Sequence, residues 1–306
     1  MSRWQSRDED SPSRSASPSP NVQSEGRRPD QGQELGRSDS APEQNHRLAQ
    51  RAPVVSTPEP RQPYRDRHRS YMLRDSEIQL LTDIGKFRVL DVKDLEQFLY
   101  RGEEKQMEAD LGNLRRQHLV LEREIPQHDA QPRHLFALTK EGKHLLVATK
   151  SVPKEQVLYH GFTKTREANH DADLYKLYQR GLEKARSEGG KNIRVILDSE
   201  LKRILYRDLA PVDAQGLGEE RSAIAERHGL RVVRDTIPVP DLRLEYETAE
   251  GEVARLDLEL ATEHYRFRNI ARKALAGFAI YARSAEAQNL RRILDQREIT
   301  AEILNL

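Results

Sequence analysis

The sequence predicts an α+β protein with an unfolded amino-terminal tail. Three observations predict this class: a Ser-, Pro- and Arg-rich stretch over residues 1–70, helical apolar spacing that dominates residues 71–150, and strand-like alternation over residues 232–260. The tail contains segments such as SPSRSASPSP and has almost no apolar side chain to offset the entropy cost of ordering, so we expect it to be disordered. The rest of the chain divides into a largely helical domain over 71–150 and a mixed α/β domain over 151–306.

Composition and charge exclude several classes of function. The 306 residues include no cysteine, which excludes disulfides, thiol nucleophiles and cysteine-held metals. The start, MSRWQSRDED, lacks the apolar centre of a secretory signal, and no apolar run approaches the roughly 20 residues of a membrane span, so we expect a cytoplasmic protein with no membrane partner. With 51 basic and 50 acidic residues the net charge is +1, so contact with nucleic acid requires a local basic surface.

Three helical patterns, a hairpin and a fourth helix follow one another between Leu73 and Thr149. The apolar residues at helical spacing are, from the first helix to the third, Ile78, Leu81 and Ile84; Val92, Leu95, Phe98 and Leu99; and Met107, Leu111 and Leu114. Asp91 is the expected N-cap of the second helix. Strand-like stretches at Val120–Ile125 and His134–Leu138 then lead into LTKEG, which opens the last helix. This order of elements resembles the winged-helix fold.

The resemblance to winged-helix proteins implies a DNA interface. The third helix, about Glu103–His118, is then the element that enters the major groove, and the loop Gln127–Arg133 is the wing. The side chains expected to contact phosphates or base edges are Lys105, Asn113, Arg115, Arg116, Gln117, Arg133 and His134. Four acids lie on or beside the same helix, namely Glu103, Glu104, Glu108 and Asp110. Phosphate repels them, so protein docking is the alternative role of this domain.

The second domain opens with a helix over about Asn169–Ser187. The next apolar run, Ile193–Leu197, is either a strand or the start of one long helix through Tyr206, because a short apolar run does not distinguish the two. The clearest strands of the chain follow at Val232–Glu247 and Val253–Leu260.

Alternation places three acids on one face of this strand pair. Asp241 on the first strand and Asp257 and Glu259 on the second point away from the leucine-rich face. The turn near 248–251 allows two registers, in which Asp241 faces either Asp257 or Glu259, and both bring the three carboxylates within about 5 to 7 Å. Three carboxylates this close together favour a bound cation such as Mg²⁺. The alternative is an exposed hairpin face on which acids and bases form loose ion pairs. Three basic side chains could compensate the acids instead: Arg243, Arg255 and Lys273.

The Pro240-Asp241 pair, the hairpin and the acid-x-acid sequence resemble the restriction-endonuclease-like nucleases, whose motif is Pro-Asp, a spacer, then an acid, any residue and Lys. Asp241 matches the first acid and Asp257 the second, whereas Glu259 stands at the lysine position. The resemblance implies Mg²⁺ as a cofactor held by Asp241, Asp257 and Glu259, with Lys273 stabilising the negative charge of the transition state. The departure at Glu259 makes a degenerate, non-catalytic domain the alternative.

Over roughly residues 74–285 the chain resembles the replication-relaxation family of plasmids and integrative elements. The matching features are LTKEG at 138–142, His170 leading a helix, PD at 240–241, DLELATE at 257–263, Lys273 and Tyr281. The resemblance implies a DNA-binding protein that acts in replication, relaxation or mobilisation of mobile DNA, with a relaxase or replication protein as partner. The alternative is a non-catalytic winged-helix transcriptional regulator or a protein-interaction adaptor. For His170 itself, a structural or capping role at the helix start is the favoured interpretation.

Overall fold

The computed structural model describes residues 59–66, 69–127, 131–162, 164–211, 218–261, 267–296, 299 and 303–306. Helices make up 47% of the structure and strands 25%, which confirms the mixed α and β content expected from the sequence. The predicted tail up to residue 58 lies outside the described residues, as do three residues of the wing, 128–130, and the Thr262-Glu263 end of the DLELATE motif.

The first half of the described chain contains the predicted order of three helical segments, a hairpin and a further helix. Its elements are β1 Gln62–Asp66, β2 Arg69–Leu73, α1 Asp75–Phe87, β3 Leu90–Asp91, α2 Val92–Asp94, a π-helical continuation of α2 at Leu95–Leu99, α3 Glu104–Arg116, β4 Val120–Ile125, β5 Arg133–Leu138 and α4 Lys140–Ala148. Asp91 caps α2 as predicted, since its side chain accepts a hydrogen bond from the backbone N–H of Lys93. β5 pairs antiparallel with both β3 and β4 in a three-stranded sheet.

A hairpin that the composition did not predict precedes α1. β1 and β2 pair antiparallel, so residues 62–66 and 69–70, which the sequence assigned to the unfolded tail, form strands. The hairpin is held because Tyr71 and Leu73 are buried in the main core and because Arg61 donates to Glu77 at 2.8 Å. Two alternating apolar residues are too few to indicate a strand next to a long polar tail. The predicted boundary between tail and folded domain, at residue 70, was wrong for this reason.

The LTKEG motif has a physical explanation at the start of α4. Thr139 is the N-cap: its hydroxyl oxygen accepts from the backbone N–H of Gly142 at 2.9 Å and donates to the His118 carbonyl at 2.9 Å. Gly142 lies against the end of α3, where a Cβ atom would be 2.4 Å from the Leu119 carbonyl oxygen. The motif therefore fixes α4 against the α3–β4 connection.

The second half of the described chain forms a five-stranded sheet with helices around it. Its elements are α5 Thr165–Ser187, β6 Lys191–Leu197, α6 Asp198–Leu209, α7 Glu219–Arg227, β7 Leu242–Glu247, β8 Val253–Ala261, α8 Phe267–Leu275, β9 Ala279–Ala282, α9 Ser284–Asp295 and β10 Ile303–Asn305. The strand order is β10-β9-β8-β7-β6; β6, β7 and β8 run antiparallel, and β9 and β10 add in parallel. The ambiguous run at 193–197 is thus strand, and a helix follows it.

The register of β7 with β8 selects one of the two predicted pairings. Arg243 lies opposite Asp257 and Leu242 opposite Leu258, which continues to Asp241 beside Glu259. The strand expected from Val232 starts only at Leu242, because the preceding residues make no ladder beyond an isolated bridge between Val233 and Thr236.

One hydrophobic core includes residues from both sides of position 150. The ring of Phe87 in α1 lies 5.3 Å from that of Tyr175 and 5.0 Å from that of Tyr178, both in α5. The leucine face of β7 and β8 joins the same core, and Gly181 lets α5 approach it closely: a Cβ there would be 2.5 Å from Leu258. The two halves of the chain therefore share one core across the boundary predicted near residue 150. Every described residue lies in a single compact unit.

We expect Gly142→Ala to lower the free energy of unfolding by about 1–3 kcal/mol, because the new methyl group must displace the Leu119 carbonyl. Urea unfolding of the purified chain measures this. Gly112→Ala in α3 is the matched control: the nearest heavy atom to its Cβ, outside its own helix backbone and chain neighbours, is Arg116 Nη1 at 3.6 Å, so this change should be neutral or stabilising by up to about 1 kcal/mol. Equal stabilities for the two variants would show that α4 does not pack this closely.

Candidate functional site

The part of the polar face of β7 and β8 that carries Asp241, Asp257 and Glu259 is covered by protein, and two of the three basic side chains expected to compensate these acids, Arg243 and Lys273, pair with them. The leucine face packs under α5, as the alternation predicted, with Leu242, Leu244 and Leu258 fully buried. On the opposite face Arg243 is 2% exposed and Glu259 is 0% exposed. The acids of interest are therefore not an exposed hairpin face, and each must have a partner inside the protein.

Arg243 is the partner of Asp257. Its Nε and Nη2 atoms donate to the two carboxylate oxygens of Asp257 at 2.6 and 2.8 Å. The same guanidinium donates to the carbonyl oxygens of His228 and Gly229, just after α7. A bidentate pair between opposite residues of two strands thus also fastens the end of α7 to the sheet.

Lys273 of α8 is the partner of Glu259. Its Nζ atom donates to Glu259 Oε2 at 2.6 Å and to the Val239 carbonyl at 2.7 Å. The backbone N–H of Asp241 also donates to Glu259 Oε2, at 3.2 Å. Lys273 therefore lies beside the trio, as the resemblance implied, and its ammonium group ties α8 to β8 and to the chain before β7.

Asp241 lies between the sheet and α5. Its Oδ2 atom accepts from the backbone N–H of Leu260 at 3.0 Å and is 3.5 Å from His170 Nε2. Burial alone would raise the pKa of Asp241, but His170, Lys273 and the Leu260 N–H stabilise its charge and lower the pKa below its usual value.

His170 is the cation that faces Asp241, and the sequence did not indicate this role. Interactions with the carboxylates of Asp171 and then Asp241 raise the pKa of His170 to about 10, although burial acts in the opposite direction. The side chain is therefore an imidazolium at neutral pH. α5 begins at Thr165, not at Asn169 as predicted, so His170 lies inside the helix and is not a cap.

The predicted Mg²⁺ ion does not fit this arrangement. Both oxygens of Asp257 are bound to Arg243, Glu259 accepts from Lys273, and Asp241 faces His170. Within the ranges that the structure describes, no group of three or more His, Asp or Glu side chains is placed to hold a metal ion. The structure brings Asp241 and Glu259 together but directs Asp257 to Arg243, so three protein cations offset the charges that a metal was expected to offset.

Arg255, the third basic side chain expected to compensate the acids, does not join this network. It donates to Glu245 at 3.0 Å on the outer part of the hairpin, where the Arg255 side chain is 43% exposed. Alternation along the strands places both Arg243 and Arg255 on the polar face, so the sequence does not show which of them is buried. The elements packed over this face bury Arg243 and leave Arg255 exposed.

Two of the predicted DNA contacts on α3 hold β2 instead. Asn113 is buried, and its Nδ2 atom donates to the Met72 carbonyl and to Glu77 Oε1, each at 3.0 Å. Gln117 accepts from the Met72 N–H at 2.9 Å and donates to the Met72 carbonyl at 3.0 Å. The side-chain amides of Asn113 and Gln117 are therefore not free to contact base edges.

The wing residue Arg133 also makes internal contacts. Its guanidinium lies 2.6 Å from Asp91, 3.1 Å from Asp173 and 3.1 Å from the Asn169 carbonyl, which fastens the wing to α2 and α5. Neighbouring His134 lies 3.1 Å from Glu124 on β4. Arg133 is thus a structural link between the two halves of the chain.

The remaining predicted contacts on α3 are exposed. Lys105 lies near the amino-terminal end, between Glu104 and Glu108, which are exposed as well. Arg115 and Arg116 lie in the last turn; Arg115 is 53% exposed and pairs with Glu122, and Arg116 is exposed. The basic surface of α3 is therefore concentrated at its carboxyl end.

No protein-family model matches this chain, and no curated protein is similar enough to it to count as a match. The resemblance to the replication-relaxation family therefore rests on the motifs alone. In the part of the chain that the structure describes, no helix combines the length and the apolar character needed to cross a membrane.

Arg243→Ala should lower the free energy of unfolding by about 3–5 kcal/mol, because it leaves the Asp257 carboxylate covered but unpaired. Arg255→Ala is the matched control in the same hairpin and should cost less than about 1 kcal/mol, since its ion pair is exposed. Urea unfolding measures both. Similar costs would show that the Arg243 pair does not anchor the sheet.

Proposed function

We propose that this chain is a DNA-binding protein of mobile genetic elements that acts in replication, relaxation or mobilisation without cleaving DNA itself. The observation that carries the proposal is the exposed arginine pair, Arg115 and Arg116, at the end of the third helix of a winged-helix arrangement. In such folds this helix enters the major groove, and basic side chains at its end bind phosphates.

The order of the second half supports the same class of protein. Pro240-Asp241 precedes β7, the β7–β8 hairpin carries the acid-x-acid sequence, and α8 follows with Lys273, as in the nuclease-like layout. The layout extends through β9 to the parallel strand β10. A domain with this layout fits a protein that acts on DNA.

The charge pairing supports a non-cleaving role. Metal-dependent cleavage needs carboxylates that are free to bind a cation and polarise the phosphodiester. Here Asp257 and Glu259 accept short hydrogen bonds from Arg243 and Lys273, and Asp241 faces the His170 imidazolium. The domain therefore positions DNA or a partner, and a relaxase or replication protein supplies the strand cleavage.

Arg115→Ala combined with Arg116→Ala should weaken duplex DNA binding and make it less sensitive to salt. If each arginine contacts one phosphate, the slope of log affinity against log salt falls in magnitude by about 2. Fluorescence anisotropy with a labelled duplex over a series of salt concentrations measures the slope.

The matched control removes the same two charges elsewhere. Arg180→Ala with Arg292→Ala changes exposed arginines on α5 and α9, outside the winged-helix half, and should leave the slope unchanged. Asp257→Asn should also leave it unchanged if the protein folds. If both double variants lose the same amount of slope, the effect comes from net charge and not from the arginine pair on α3. If the wild-type protein shows no salt-dependent binding to duplex DNA, the proposed DNA binding is wrong.

A Mg²⁺-dependent endonuclease is the activity that the nuclease-like motif implies and that the pairing of Glu259 with Lys273 argues against. We expect supercoiled plasmid to stay supercoiled when the protein is added with Mg²⁺ or Mn²⁺ at low salt. Gel electrophoresis of the plasmid shows this. Relaxed or linear product that disappears with Asp241→Asn would establish the nuclease and overturn the non-cleaving role.

A further inference from the structure

We propose that the β1–β2 hairpin is a second DNA-contacting element, which lies beside α3 and binds the phosphates of the same duplex through Arg65 and Arg69. The inference rests on the proposed DNA-binding function and adds a surface to it. A two-stranded ribbon is narrow enough to enter a major groove, as a helix is.

The contacts with α3 determine the direction of the hairpin. At its open end Arg61 donates to Glu77 and lies 3.5 Å from the Ala109 carbonyl, over the middle of α3. Met72, which pairs with Pro63 just inside that end, is bound by Asn113 and Gln117, about one turn nearer the carboxyl end of the helix. β2 therefore leads back from Met72 towards the carboxyl end of α3, while β1 packs against α4.

The tip of the hairpin lies beyond the point at which α3 ends. Ser70, opposite Arg65, is two residues past Met72, and Arg69, opposite Asp66, is three residues past it. At the rise of a strand these residues lie about 7 and 10 Å farther along. Arg65 and Arg69 therefore lie beyond the last turn of α3, in which Arg115 and Arg116 are exposed.

The charge of the tip suits a phosphate backbone. Arg65 and Arg69 are both exposed, and within the described part of the chain neither has an ion-pair partner, while Asp66 is half-buried. Arg65 lies on the outward face of the hairpin, together with Ser70 and Met72. Arg69 lies on the other face, so each face of the hairpin has one arginine.

The acids of α3 lie away from this surface. Exposed Glu104 and Glu108 are in the first half of the helix, whereas the arginine pair lies in its last turn, about 10 to 18 Å farther along the axis. The arginine pair and the two hairpin arginines are therefore all at the carboxyl end of α3, away from its exposed acids. Two basic elements at this end suit the extended phosphate backbone of a duplex.

Arg65→Ala with Arg69→Ala in the full chain is the test. On two duplexes of unrelated sequence, the affinity should fall by the same factor and the salt slope should fall in magnitude by about 2, because phosphate contacts do not depend on sequence. Arg65→Lys with Arg69→Lys keeps the charges and should retain the wild-type slope. Circular dichroism and thermal melting should be unchanged, since both side chains are exposed.

The outcomes separate the two proposals. A wild-type slope in the Arg65→Ala, Arg69→Ala variant, together with a reduced slope in the Arg115→Ala, Arg116→Ala variant, would overturn the hairpin contact and leave the proposed function intact. A wild-type protein with no salt-dependent DNA binding would overturn both. A loss confined to single-stranded oligonucleotides would overturn the assignment to duplex DNA.

Discussion

The pairing of buried charges on the β7–β8 hairpin is the constraint on which the second half of the structure depends. A carboxylate that is covered by protein and left unpaired costs several kcal/mol, so every acid on this face needs a cation at a defined place. Arg243 meets this need for Asp257 within the sheet and fastens the end of α7. Lys273 meets it for Glu259 and fastens α8, and His170 faces Asp241 from α5. The contacts that neutralise the buried acids are therefore also the contacts that hold α7 and α8 against the sheet.

The first half of the chain uses polar side chains in a comparable way. Asn113 and Gln117 have the chemistry that reads base edges, but their amides bind the backbone of Met72, and Arg133 joins the wing to α5. Because these amides are bound to the backbone of β2, the exposed basic side chains at this end of α3 are Arg115 and Arg116, on which the proposed DNA binding rests. The hairpin that these amides hold extends the proposed DNA-binding surface.

The two halves are coupled by packing as well as by charge. Phe87 of α1 contacts Tyr175 and Tyr178 of α5, and Arg88, at the end of α1, lies 3.6 Å from Asp171, the neighbour of His170. The helix that carries His170 therefore touches both the winged-helix half and the acid network. The two halves are therefore packed together in one arrangement, and under the proposed function this arrangement presents bound DNA to a partner.

The sequence by itself determined the order of α1 to α4 with the β4–β5 hairpin, and the alternation that separates the leucine face of β7 and β8 from the acidic face, because these follow from local periodicity and from capping residues such as Asp91. The alternation and the short turn also predicted that Asp241 and Glu259 lie close together, in either of two registers, and the resemblance placed Lys273 near them. Only the tertiary structure decided that Asp257 pairs with Arg243, that His170 faces Asp241 and that Asn113 binds Met72. Each of these contacts joins elements whose separation and burial depend on the whole packing, and no spacing along the chain encodes which of several equivalent side chains becomes covered.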